Sequence, residues 1–329
     1  MNESEAMSRA LQLAATPGVP LGPNPRVGCV LLRDGKVLAE GFHRGAGTLH
    51  AEADALAKTD ARGATAVVTL EPCNHSGRTG PCSQALIDAG VKRVVYAMPD
   101  PNPVASGGAR TLRAAGVEVA AGLASKDAER VNRGWLFGVQ NGRPLVTWKF
   151  AATLDGRSAA ADGTSQWITG PAARSDVQRL RGQCDVILVG TGTVAADNPR
   201  LTVRDGRTHQ PLRAVMGRRE LDPGMLVFNA AADTIRLQTH DPAQALSELF
   251  DAGRRHVWLE GGPTVAAAFM RAQLVDEIIA YVAPALLGSG RNAVADLGIT
   301  TISEAVRLDL QDVARIGDDV RLTLVPPAE

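Results

Sequence analysis

The chain has 329 residues, 45% of them hydrophobic and 4% aromatic, which is long for one domain and supplies apolar material for two cores. Lys and Arg number 35 and so do Asp and Glu, so no global field recruits nucleic acid or an anionic membrane. The four cysteines, Cys29, Cys73, Cys82 and Cys184, are too few for a disulfide scaffold at this length.

The opening stretch, MNESEAMSRALQLAAT, has acids where a secretory leader needs positive charge, and no run of about 18 apolar residues follows anywhere. The expectation is a cytoplasmic protein with no membrane-spanning segment. Asn2 caps a first helix, with Glu5 as its capping-box partner. Two apolar runs then flank Asp34-Gly35, a hairpin signal. From there helix and strand alternate: helix HAEADALAK, strand ATAVVTLEP, helix CSQALIDAG, strand KRVVYAM, helix ARTLRAAG and strand VEVAAG, with Gly90 and Gly116 at helix C-termini. The turn chemistry of NGRP, residues 141–144, marks a linker. A second series runs from strand LVTWKFAAT through helix AARSDVQRLRGQ, strands DVILVG and LRAVMG, helix AQALSELFDAG, strand HVWLEGG, helix TVAAAFMRAQ and strand EIIAYVAPALL to strand VRLTLV. The reading is α/β with two domains, 1–144 and 145–329.

His50, Cys73 and Cys82 supply three ligand types for zinc, and catalytic zinc keeps three protein ligands and one open position. Two thiolates and a neutral imidazole cancel the charge of Zn²⁺. Cys82 follows Pro81 at a helix start, where free N–H groups favour a thiolate. Glu52, two residues beyond His50, is in reach of a zinc-activated water. This is the H-x-E and P-C pattern of zinc nucleobase deaminases, in which the Glu shuttles protons. Eight residues separate Cys73 from Cys82, which departs from the P-C-x-x-C of ordinary cytidine or tRNA-adenosine deaminases. A structural zinc knuckle would need a fourth ligand, for which His43 and His75 are candidates. Cys29 and Cys184 read as core residues.

The segments NPRVGCV, HAEADAL, TLEPCNHSGRTGPC and DPNP together resemble the deaminase half of the bifunctional riboflavin-biosynthesis deaminase–reductases, where the long cysteine spacing is normal. Gly80 stands where that family leads one to expect Pro. The resemblance implies a cytidine-deaminase-like three-layer domain, zinc on His50, Cys73 and Cys82, catalysis by Glu52, and substrate contacts from Asn24, His43, His75, Arg78, Asp100 and Asn102. On the bare sequence, Asn24 and DPNP are also ordinary turn chemistry.

In the second half, WKFAATLDGRSA, SQWITG, LVGTGTVAADNPRLTVR and LEGGPTVAAAF resemble the reductase half of the same family, with a dihydrofolate-reductase-like fold. The physics agrees: LEGGPTV is a strand, two glycines and a helix start, where backbone N–H groups meet phosphate. It is not G-x-G-x-x-G, so a Rossmann reading has no support. By position, the resemblance implies NADPH contacts from Ala151, Trp167, Thr193, Asp197, Gly217 and the run Gly262, Pro263, Thr264, Val265, Ala266, Ala267 and Ala268. It places Lys149, Ser165, Arg181, Leu201, Arg204 and Glu260 on the substrate side, with Ser165, Arg181 and Arg204 as a phosphate clamp. Gly217 stands where an acid is expected. Arg218 and Arg219 after it either help bind the 2′-phosphate of NADPH or are exposed cations.

The resemblance thus implies two activities. The first is zinc-dependent hydrolytic deamination of 2,5-diamino-6-ribosylamino-4(3H)-pyrimidinone 5′-phosphate. The second is NADPH-dependent reduction of the ribosyl chain to ribityl. The expected partners are this phosphorylated pyrimidine and further copies of the chain, with no nucleic acid and no membrane. A zinc-dependent nucleic-acid deaminase with an accessory dinucleotide-binding domain is the rival; it calls for a basic, aromatic-bearing surface, against the balanced charge and 4% aromatics. A zinc-stabilised NADPH-binding regulator without turnover leaves Glu52 and Glu260 without a purpose.

Overall fold

The computed structural model describes residues 1–75, 80–204, 206 and 210–327. The chain packs into two compact units, Met1–Gly142 and Arg143–Glu329. Among the described residues, no helix is long and apolar enough to cross a membrane.

The first unit begins with α1 (Glu3–Ala14), whose capping box is formed: Asn2 Oδ1 accepts from the Glu5 N–H and Glu5 Oε2 from the Asn2 N–H, both at 2.9 Å. Strands β1 (Gly28–Arg33) and β2 (Lys36–Phe42) pair as an antiparallel hairpin. Asp34 and Gly35 both have positive φ, 51° and 74°, as a tight two-residue turn between right-twisted strands demands. Then follow α2 (Ala51–Leu56), β3 (Thr65–Leu70), α3 (Cys82–Asp88), β4 (Arg93–Met98), α4 (Gly108–Ala114), β5 (Glu118–Ala121), α5 (Ser125–Val131) and α6 (Arg133–Asn141). The sheet runs β2-β1-β3-β4-β5, with β3, β4 and β5 mutually parallel.

Two glycines show why the sheet is sandwiched. A side chain on Gly28 would meet the Ala10 carbonyl of α1 at 2.0 Å, and one on Gly41 would meet the Ala51 carbonyl of α2 at 2.2 Å. Gly41 lies opposite Cys29, one residue on from Gly28, so the two helices press on opposite faces. This is a three-layer arrangement around a Val- and Ala-rich core.

The second unit contains β6 (Leu145–Thr153), β7 (Arg157–Ala159), α7 (Pro171–Arg181), β8 (Val186–Gly190), α8 (Thr191–Asp197), β9 (Leu212–Met216), β10 (Thr234–Leu237), α9 (Pro242–Asp251), β11 (His256–Leu259), α10 (Pro263–Arg271), β12 (Glu277–Ala283), β13 (Arg291–Asn292), β14 (Asp309–Ile316) and β15 (Asp319–Val325). Its main sheet runs β10-β9-β8-β11-β6-β12-β15-β14, parallel from β10 to β12 and antiparallel beyond. Alternate residues of β8 enter different cores: Val186 and Leu188 join Phe269 and Leu249, while Ile187 and Val189 join Trp258 and Tyr281. A parallel sheet covered on both faces explains why these strands read as continuous apolar runs.

Several elements have no counterpart in the sequence reading. The stretch after Gly190, given no helix or strand there, is the helix α8. The pair α5–α6 buries only Ala128 in the first and Gly134, Trp135 and Gly138 in the second, too few apolar positions for a helical period. Strand β14 is exposed along most of its length, so its alternation carries no hydrophobic signal; β7, β10 and β13 have at most four residues.

Candidate functional site

In the first unit the site gathers at the C-terminal ends of β3 and β4 and the N-termini of α2 and α3, where open parallel sheets place their ligands. His50 is the N-cap residue of α2, Cys73 follows β3, and Cys82 opens α3. Nδ1 of His50 lies 3.5 Å from Cys73 Sγ and 3.3 Å from Cys82 Sγ. The three donor atoms all fall within 4.8 Å of one another. Tetrahedral zinc, with bonds of about 2.3 Å to sulfur and about 2.0–2.1 Å to nitrogen, sets N and S roughly 3.5 Å apart, so the donors fit the ion. Their charges ask for it as well. The hydrogen bond with Cys82, helped by His50, pulls the Cys73 thiol down to about 4, while the neighbouring Cys73 and burial push the Cys82 thiol up. Without a cation only one sulfur ionises; a divalent ion lets both do so.

Among the described residues no fourth His, Cys, Asp or Glu joins the group, which leaves an open position. His43 is unavailable as a ligand. Its Nδ1 donates to the Leu49 carbonyl at 3.0 Å, so its Nε2 accepts from Asn24 Nδ2 at 3.1 Å. Burial, together with the charge of His50, lowers its pKa and keeps it neutral. Glu52 is 4% exposed, and burial raises its carboxyl to about 7.

A pocket of about 180 Å³ brings Asn24, His43, His50, Glu52, Cys73, His75, Asp100 and Asn102 onto one surface. Nδ1 of His75 is buried without a hydrogen-bond partner, a polar atom awaiting a ligand. Asp100 accepts from the Asn102 N–H at 2.9 Å, yet burial outweighs that bond and raises its carboxyl to about 6. Arg78 lies outside the described residues.

Sequence reasoning passed over Glu71, although it stands inside the quoted TLEPC. One of its oxygens accepts from the Gly107 and Ala109 N–H groups at 3.2 and 3.0 Å, the other from the Asp100 N–H at 3.3 Å. It therefore ties the Asp100 loop and the start of α4 to the strand end that leads to Cys73. Trp135 also lines the pocket; no motif in its stretch gave a signal of it.

In the second unit, Gly190, Gly217 and Gly262 stand at the C-terminal ends of β8, β9 and β11 or in the turns after them. A side chain on Gly190 would meet Val265 at 2.6 Å, so only glycine lets α10 approach β8 so closely. The Gly262 N–H donates to Thr193 Oγ1 at 3.1 Å, joining the α8 and α10 turns. Gly217 has φ 128°, and a side chain there would meet Thr191 Oγ1 at 2.7 Å; the missing acid has no room on this backbone. Arg218 and Arg219 beside it are exposed. Trp167 is 66% exposed, with the Arg174 guanidinium 4.5 Å from its ring centre. Ala151 and Ser165 are half-buried.

Three expectations are modified. Arg181 does not offer its fork to a phosphate, because Nε donates to Glu260 Oε1 at 2.5 Å, Nη2 to Oε2, and Nη1 to the Thr202 carbonyl at 3.3 Å. Ala266 and Ala267 are buried, so their side chains serve the core, while Thr264 is exposed and Gly262, Pro263, Val265 and Ala268 are half-buried. Asp197 is exposed at the far end of α8, about 9 Å along the helix axis from Thr191. Lys149 lies on β6 near Glu260 and Arg181; burial and the Arg181 charge lower its pKa against the pull of Glu260. Leu201 is buried with φ 50°, and Arg204 is exposed, its N–H held by Gln178 at 3.0 Å.

Residues 144–322 match the RibD C-terminal domain family, and residues 1–98 match the cytidine and deoxycytidylate deaminase zinc-binding region. The riboflavin biosynthesis protein RibD of Mycobacterium tuberculosis is 48% identical, with 98% of this chain and 96% of that protein covered. The chain belongs to the bifunctional deaminase–reductases of riboflavin biosynthesis. RibD of Escherichia coli is 40% identical across 99% of this chain and 100% of its own. Among solved structures, the diaminohydroxyphosphoribosylaminopyrimidine deaminase/5-amino-6-(5-phosphoribosylamino)uracil reductase of Thermotoga maritima superposes with a TM-score of 0.89 at 31% identity, covering 99% of both chains. Acinetobacter baumannii RibD gives 0.87 at 39%, again with 99% of both covered. Membership in this family brings a zinc-binding deaminase domain and a reductase domain that takes a nicotinamide cofactor.

Proposed function

We propose that the first unit hydrolytically removes the 2-amino group of a diaminopyrimidinone ribosylamine 5′-phosphate, and that the second reduces the ribosyl chain of the product to ribityl with NADPH. The observation that carries the reading is the His50, Cys73 and Cys82 donor triangle with Glu52 buried in the same pocket. Bound by those three side chains, zinc supplies Lewis acidity that makes a water acidic near neutral pH. Glu52 takes the proton of that water and hands it to the departing amino group. Asn24, His75, Asp100 and Asn102 line the pocket and would offer hydrogen-bonding groups to the ring.

In the second unit NADPH supplies a hydride. The glycine turns at Gly190, Gly217 and Gly262 admit its backbone-hugging pyrophosphate, with Thr193 and Thr264 as hydroxyl donors and Trp167 and Ala151 as apolar contacts. Lys149, Ser165, Leu201 and Arg204 hold the substrate, and Glu260 acts through its pairing with Arg181. Feeding the chain the diaminopyrimidine with and without NADPH, while following ammonia and NADPH absorbance, tests both halves. Ammonia release without NADPH and NADPH oxidation only after deamination are expected. NADPH oxidation with no ammonia would overturn the order of steps.

A further inference from the structure

Every polar contact assigned to the first site lies within residues 24–102, yet the pocket is closed by Trp135, 4% exposed, from the first turn of α6. Three residues earlier, at the junction of α5 and α6, stands Asn132, 3% exposed. Both arms of its amide close on a single residue: Nδ2 donates to the Arg26 carbonyl at 2.9 Å, and Oδ1 accepts from the Arg26 N–H at 2.8 Å. The amide thus does for this segment what a neighbouring strand would do. Residues 24–27 precede β1, which begins at Gly28, and lie outside its ladder. Among their other ties are the Arg26 side chain to the Thr16 carbonyl at 2.7 Å and the Val27 carbonyl to the His43 N–H at 2.9 Å. Two residues before Arg26, Asn24 donates its Nδ2 to His43, whose other nitrogen is fixed on the carbonyl of Leu49, the neighbour of His50. One N–H of the Asn24 amide is thereby committed to His43, and the rest of the amide lines the pocket.

We infer that Asn132 is a positioning residue for deaminase substrate recognition, holding the segment that carries Asn24 so that the Asn24 amide is presented to the polar edge of the pyrimidine. This rests on the deaminase reading above. Asn132→Asp keeps the volume and one acceptor but loses the donor and sets a carboxylate against the Arg26 carbonyl. The test uses the full-length chain carrying Asn132→Asp, Asn24→Ala, or both. It reads KM and kcat for ammonia release, zinc content, and NADPH oxidation on the preformed deaminated product. The expected result is a KM raised about tenfold, kcat changed less, zinc at wild-type content and reduction untouched. In the Asn24→Ala background Asn132→Asp should add less than about twofold, since the two act in series. Fold-changes that multiply in the double variant, an unchanged KM, or zinc lost in step with activity would each overturn the inference. So would an Asn132→Asp chain that fails to fold, since that assigns Asn132 to the fold alone. A wild-type chain that releases no ammonia sinks the deaminase reading itself, which separates the two failures.

Discussion

Arg181 and Glu260 close on each other with two parallel hydrogen bonds, side chains 13% and 12% exposed, although 79 residues separate them in the chain. Trp258 Nε1 donates to the same Glu260 oxygen that Arg181 Nε reaches. Burial alone would raise the Glu260 carboxyl, but the Arg181 charge and hydrogen bonds, with Lys149 and Trp258, hold it at about 2. The pair fixes the Glu260 carboxylate beside Lys149 at the C-terminal end of β11, and it takes Arg181 out of any two-armed phosphate contact.

That pairing gives a pH signature. The folded-state value of about 2 lies below the usual 4.5, so the stability it contributes is fully present above about pH 4.5 and is lost as pH falls toward 2. Arg181→Met leaves a buried carboxylate without its cation, a loss of roughly 3–5 kcal/mol near neutral pH. The gap between wild type and variant in urea unfolding should narrow between pH 5 and pH 3. A gap that stays constant over that range refutes the assignment.

The metal donors separate from the proton carrier by their content of zinc. Cys73→Ser, Cys82→Ser and His50→Ala should lose zinc and ammonia release together, because two donors no longer close the triangle. Glu52→Gln should keep about one zinc per chain and lose ammonia release by roughly 10²–10⁴-fold, the range of a general acid–base group. Metal analysis beside the ammonia assay decides it; zinc lost from Glu52→Gln would make Glu52 a ligand.

Glu71 offers a third test. Its two oxygens satisfy the N–H groups of Asp100, Gly107 and Ala109, and Gly108 packs so tightly on the Pro72 carbonyl that a side chain there would sit 1.8 Å from it. Glu71→Gln turns one acceptor into a donor facing another donor. Hydrogen bonds to a charged group are worth about 1.5–3 kcal/mol, so the pyrimidine KM should rise at least tenfold while reduction of the deaminated product stays at wild-type rate. Equal losses in both reactions would show damage to the whole chain instead.

What could be read from residues alone follows from how far each signal reaches. The grouping of His50, Cys73 and Cys82 was legible because few residue types bind zinc and because P-C and H-x-E are local. The hairpin at Asp34-Gly35 and the cap at Asn2 were legible for the same reason: turn and cap chemistry spans four residues or fewer. Glu71, Asn132 and the Arg181–Glu260 pair were not, because their partners are backbone groups or side chains 29 to 106 residues away, and spacing carries no trace of such contacts. The helix α8 was missed because glycine and threonine at its start look like a loop, although Gly190 before it and Asn198 after it, with φ 40°, frame a short helix. The buried alanines of α10 looked like cofactor contacts only because sequence position cannot say which side of a helix meets the core.

With Arg181 committed to Glu260, the proposed contact to the substrate phosphate in the second unit falls first on Arg204. Its side chain is exposed while its N–H is anchored to Gln178 and the neighbouring Val203 is held through both backbone groups by Gln210, so an exposed guanidinium stands on an anchored backbone. A charged hydrogen-bond pair contributes about 1.5–3 kcal/mol, which is roughly ten- to hundred-fold in affinity. Arg204→Ala should therefore weaken binding of the phosphorylated intermediate by that factor, leave NADPH affinity unchanged, and leave ammonia release unchanged. A dephosphorylated intermediate should bind wild type and variant equally poorly, since the missing guanidinium then has nothing to contact. Separate titrations of NADPH and intermediate against the two proteins read this directly. Should NADPH affinity fall while the intermediate binds as before, Arg204 serves the cofactor, and the substrate phosphate must be held by Ser165 and Lys149 instead.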